Sequence, residues 1–183
     1  MEIKPPGSRI TLDDLKRVLT PPPSLASKPS PSDWRRLGFD LPHDYKLFIE
    51  TYGAGSVSSV LNVFSPFALC EGCNMLAELK KVTQLGEEMG ADFSDLAVDT
   101  CYFPHKGGLL PFALTENHQY IFWITTGPAD RWRLCCGEDT DFLDLMEHIP
   151  MKTVEFFYHL VANRDMLPFG YELDVPCPYD PVL

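Results

Sequence analysis

The chain has 183 residues, 45 % of them hydrophobic and 22 % charged, which suits one globular domain with a substantial core. Its formal charge is −11, from 15 Lys and Arg against 26 Asp and Glu, and such a surface repels a phosphate backbone, so direct nucleic-acid binding is not expected. No apolar run reaches the length of a membrane span and MEIKPPGSRITLDDL lacks the apolar stretch of a secretory signal, so a cytoplasmic protein without membrane contact is expected.

In chain order, residues 8–19 predict a short helix. Thr11 with Asp14 three positions later forms a capping-box pattern, and Leu12, Leu15, Val18 and Leu19 make one apolar stripe. Five prolines in residues 20–32 remove backbone donors and predict a semi-rigid linker or surface loop. Asp33 to Leu37 predict a helical turn with Trp34 and Leu37 facing inward. A stronger helix starts at Pro42, because proline suits the first turn, and Tyr45, Phe48, Ile49 and Tyr52 fall on one face. Gly53 occupies the helix stop, where a positive φ is needed.

VSSVLNVF, residues 57–64, reads as a single strand ended by Ser65-Pro66. Asn74 caps a predicted helix from Met75 to about Met89, with Leu76, Leu79, Val82 and Met89 on or near one face. Residues 90–108 read as irregular, with a short strand near Ala97. LLPFALT and QYIFWIT are two strands joined at Glu116-Asn117-His118, and RWRLCC is a third; Pro111 implies that its strand lies at a sheet edge or begins after it. Asp141 to Met146 suggest a helical turn, and Met151 to Asn163 a last helix with Val154, Phe157, Tyr158 and Val161 inward. Residues 164–183, with four prolines, read as an irregular tail. Helices packed against a largely antiparallel, twisted sheet define the expected α+β class.

The acidic excess is unevenly placed. Residues up to Lys80 carry nine basic and nine acidic side chains, whereas those from Lys81 onward carry six basic and 17 acidic. Glu87, Glu88, Asp92, Asp95 and Asp99 run without an intervening Lys or Arg, and so do Glu138, Asp139, Asp141, Asp144 and Glu147. A surface of this kind steers a basic partner inward and speeds association.

The residues offer little catalytic chemistry. The G-x-S-x-G nucleophile elbow is absent, and Gly53-Ala54-Gly55-Ser56 follows a helix, whereas a phosphate cradle needs to precede one. Cys70-Glu71-Gly72-Cys73 has the spacing to hold one side of a zinc ion, with Cys101 and His105 able to complete a tetrahedron; this defines a zinc- or cysteine-dependent enzyme as one alternative. No βαβ pattern precedes the C-x-x-C, so thioredoxin-like chemistry is not expected, and the six cysteines read as mostly buried thiols. His159 reads as a rim residue of the last helix. Neither enzyme activity nor a cofactor is expected.

Leu41-Pro42, Tyr45, Phe48, Tyr52-Gly53 and Gly55 resemble the core motif of the SUKH superfamily, which includes fungal cell-wall assembly regulators and bacterial immunity proteins. Trp34 and Gly38-Phe39 before the motif, Phe64-Ser65-Pro66, Leu110 to Ala113, Phe122-Trp123, Trp132, Phe142-Leu143 and Phe156-Phe157 after it extend the resemblance over about residues 33–163. Residues 1–32 then form an N-terminal helix and Pro-rich segment and 164–183 a tail; the Pro-rich residues 20–32, the Cys-rich insert at 70–74 and the tail after Arg164 depart from the family pattern. The resemblance implies a non-catalytic protein-binding domain. In bacteria it implies an immunity protein that neutralises a polymorphic toxin, such as a nuclease with basic surface; the fungal branch offers a regulatory scaffold for cell-wall synthesis or signalling proteins as an alternative. On the first reading Glu138, Asp139, Asp141 and Asp144 lie at the interface, with Trp132 either an aromatic anchor there or, as its type favours, a core residue.

Overall fold

A computed structural model of the protein describes residue 4 and residues 8–25, 28–89, 102–138, 147–162 and 177–182. Its helices are α1 (Leu12–Val18), α2 (Pro31–Arg36), α3 (His43–Tyr52), α4 (Met75–Met89) and α5 (Thr153–Ala162). Its strands are β1 (Leu19–Thr20), β2 (Gly55–Val57), β3 (Leu61–Val63), β4 (Leu109–Thr115), β5 (Gln119–Ile124), β6 (Arg133–Glu138), β7 (Glu147–Ile149) and β8 (Cys177–Pro181). The strands form one sheet in the order β1-β8-β2-β3-β4-β5-β6-β7, antiparallel throughout except where β1 meets β8. The α+β class expected from the sequence is the observed one. Among the described residues, no helix is long and apolar enough to cross a membrane.

Side-chain alternation along β5 assigns the layers. Trp123 faces α3 and α5: its ring meets Tyr45 edge-on at 4.7 Å, and its Nε1 donates to Thr153 at 3.2 Å. Tyr120, on the opposite face, donates its hydroxyl to Glu78 of α4 at 2.7 Å. Helices thus cover both faces of the central strands, which is why QYIFWI is a nearly unbroken apolar run. The motif residues Tyr45, Phe48, Ile49 and Tyr52 are all buried on the inner face of α3. Phe48 stacks on Phe157 of α5 at 4.1 Å and on Tyr52 at 4.6 Å. Gly53 ends the helix with φ +78°, a conformation that side chains other than glycine rarely adopt.

The helix starts follow local chemistry. Thr11 and Asp14 cap α1 reciprocally, as their spacing indicates. Ser30 and Asp33 make the same box for α2, which therefore begins at Pro31, inside the stretch read as a linker. Proline at the first helical position loses no hydrogen bond. Asn74 Oδ1 accepts from the backbone N–H groups of Leu76 at 3.0 Å and Ala77 at 3.1 Å, and α4 starts where predicted.

Several expectations need correction. Residues 57–64 are not one strand. β2 and β3 are an antiparallel pair, with Ser58 (φ +47°) and Ser59 (φ +62°) making the turn between them. β4 is central, not an edge; a register irregularity between Pro111 and Ala113 absorbs the missing proline N–H. The inner face of α4 carries Met75, Glu78 and Val82, while Leu76 is exposed. α5 is buried almost all round, and His159, expected at the rim, is 1 % exposed. The expected irregular tail contains β8, whose Tyr179 and Cys177 are buried. Leu15, Val18 and Leu19 join the same core, so both ends of the chain contribute to the sheet and its packing. The expected strand near Ala97 and the turn at Asp141–Met146 lie outside the described residues.

Candidate functional site

The acidic run beyond Lys81 can be placed by its ends. β6 finishes at Glu138, in register with Gln119 of β5, and β7 begins at Glu147, in register with Cys136 of β6. Among the described residues β7 is the outermost strand on its side of the sheet. The backbone thus holds Glu138 and Glu147 at one end of the β6–β7 pair, and the segment with Asp139, Asp141 and Asp144 connects them. Those three aspartates lie outside the described residues. The same end of the sheet carries the β4–β5 turn with exposed Glu116.

Trp132 is not at a surface. It is 8 % exposed, donates its Nε1 to the Gly127 carbonyl at 3.0 Å, and tilts against Trp123 at 6.1 Å. It closes the core below the 127–132 turn, which is the packing role that the sequence offers beside that of an aromatic anchor. Arg131 and Arg133 on either side of it are exposed.

The cysteine candidates separate. Cys70 is exposed and Cys73 is buried, on a single-turn 3₁₀ helix ahead of α4. Burial pushes the Cys73 thiol up to about 11, and the neighbouring Cys70 and then Glu78 raise it further. His105 is exposed in the turn before β4, and Cys101 lies outside the described residues. Among the described residues no three His, Cys, Asp or Glu side chains gather as metal ligands. Cys135 and Cys136 are buried in β6, and burial raises the Cys135 thiol strongly.

One feature escaped the sequence reading. A groove of about 480 Å³ opens where the starts of α1, α3 and α5 meet the 129–131 turn, and its walls include Arg9, Leu12, His43, Leu47, Asp130 and Val154. Its carboxylates hold the starts of α3 and α5 to each other and to the turn. Asp130 accepts from the His43 N–H at 2.7 Å, Asp44 from the Val154 N–H at 3.0 Å, and Glu155 from the Lys152 N–H at 3.3 Å. The Lys152 ammonium in turn donates to the Asp130 carbonyl. Acids bonded to helix N-termini are in their favoured place, so this cluster is first a structural junction. Its members come from three distant segments, 43–44, 130 and 152–155; the local signal was that Asp44 and Glu155 stand in the first turns of α3 and α5.

Comparison of the chain with protein-family models, with curated proteins and with solved structures found no match.

Proposed function

We propose that the chain is a non-catalytic, SUKH-type protein-binding domain, an immunity protein that neutralises a cognate toxin through its acidic surface. The observation that carries the reading is the run Glu138, Asp139, Asp141, Asp144 and Glu147, free of Lys and Arg, which joins β6 to the outer strand β7. A concentrated negative field at a sheet margin suits a partner with a basic surface, such as a nuclease domain whose cations otherwise face phosphate. The burial of Tyr45, Phe48 and Tyr52 supports a structural role for the motif and directs the search for an interface away from it.

The test starts from the neighbouring reading frame, where a cytoplasmic immunity protein has its toxin encoded. The toxin's C-terminal domain is purified and its affinity for this chain measured at several salt concentrations. Reversing Glu138, Asp139, Asp141 and Asp144 to lysine lowers the affinity at least about tenfold and flattens its salt dependence. Unchanged binding by the fourfold variant would overturn the interface.

A further inference from the structure

The turn ahead of α4 carries a chemistry that the binding reading does not use. Cys73 donates its backbone N–H to the Cys70 carbonyl at 3.1 Å, closing residues 70–73 into one tight turn. A turn of this type keeps its first and fourth Cα atoms within about 7 Å, and a disulfide needs about 4.4–6.8 Å. The turn is held from both sides. Ser65 donates its N–H to the Cys73 carbonyl at 2.8 Å and accepts from the Met75 N–H at 3.1 Å. Asn74 Nδ2 donates to the Ala68 carbonyl at 2.7 Å. Cys70 therefore stands exposed on a fixed base, beside Leu69 at 98 % exposure, with Cys73 buried beneath it. Exposed and buried thiols so paired have distinct parts to play in thiol–disulfide exchange.

We propose that Cys70 and Cys73 form a reversible redox pair that a low-molecular-weight disulfide of the glutathione class oxidises, Cys70 reacting first and Cys73 resolving. The Cys70 thiolate attacks one sulfur of the small disulfide, forms a mixed disulfide and releases one small thiol. The Cys73 thiolate then attacks the Cys70 sulfur, forms the Cys70–Cys73 bond and releases the second small thiol. Two electrons pass to the small disulfide, and the two cysteine protons end on the released thiols. Reduction runs back through the exposed Cys70 sulfur. Absence of a βαβ pattern argues against a thioredoxin fold but leaves this local geometry intact. The inference is independent of the acidic interface, and its test does not involve a toxin.

The full chain is reduced, equilibrated in glutathione buffers of graded oxidised fraction, quenched with acid, alkylated and mapped by peptide mass spectrometry. In the wild type, alkylation of Cys70 and Cys73 is lost together and a 70–73 disulfide appears. Cys73→Ser stops at a glutathione adduct on Cys70, and Cys70→Ser slows oxidation of Cys73 by about tenfold or more. Cys73→Ala replaces the serine variant if a buried hydroxyl prevents folding. A wild-type adduct on Cys70 that never resolves would overturn the proposal. So would a bond from either thiol to another cysteine, or equal oxidation of Cys73 in Cys70→Ser.

Discussion

Replacing Tyr179 by alanine removes the side chain that ties the C-terminal strand to the core. The residue is 4 % exposed; its ring meets Tyr52 at 5.2 Å and Phe48 at 5.8 Å, both edge-on, and its hydroxyl donates to the Gly53 carbonyl at 3.0 Å. Truncating a buried aromatic ring costs about 3–5 kcal/mol, and leaving a buried carbonyl without its donor about 1–3 kcal/mol. Part of the second cost is recovered if water reaches Gly53, so about 4 kcal/mol is expected, a large share of a typical total of about 5–15 kcal/mol. For a chain of this size that lowers the melting temperature by about 8–16 °C. Tyr179→Phe keeps the ring and loses only the hydrogen bond, so it falls by about 1–3 kcal/mol. Urea unfolding followed by tryptophan fluorescence measures both. A loss below about 1 kcal/mol for Tyr179→Ala, or equal losses for the two variants, would refute the docking of β8.

Gly55 tests the same strand from the other side. A β-carbon there would lie 2.3 Å from the Asp180 carbonyl oxygen and 2.8 Å from the Pro181 Cα, backbone atoms that cannot swing aside. Gly55→Ala should cost about 1–3 kcal/mol by overpacking and, combined with Tyr179→Ala, less than the sum of the two; full additivity in thermal melts would argue against the shared contact. His159 predicts a pH effect. Burial lowers its pKa below the ordinary value, against a smaller raising influence from Glu155, and its Nδ1 has no hydrogen-bond partner among the described residues. The unfolded chain therefore binds the proton more readily than the folded one. Its contribution to stability is present above about pH 6.5 and is lost as pH falls through the lowered folded value, at no more than about 1.4 kcal/mol per pH unit. Urea midpoints at pH 7 and 5.5 should differ more for the wild type than for His159→Phe, and equal differences would show that His159 is not the source.

Local chemistry was legible where it was complete within a few residues. The capping boxes of α1 and the Asn74 cap, the apolar stripe of α3, the glycine stop at Gly53 and the hairpin at 116–118 each need only neighbours along the chain, and each stands where the sequence indicates. Three-dimensional structure decided the rest, because those outcomes depend on partners distant in sequence. Ser58 and Ser59 adopt positive φ without a glycine to announce it, since pairing of β2 with both β3 and β8 fixes the turn. The proline-rich C-terminal residues become a strand because β1 and β2 present free hydrogen-bonding edges on either side of them. The groove exists only because three helix starts meet. His159 reads from the sequence as a rim residue, yet it is sealed within the core, and of the two roles open to Trp132 packing is the one its burial matches. The sequence alone determined that the domain is acidic, α+β and built on the Tyr45–Tyr52 helix. Which side chains remain at the surface to meet a partner was decided by packing, since burial is a property of the assembled layers and not of any one segment.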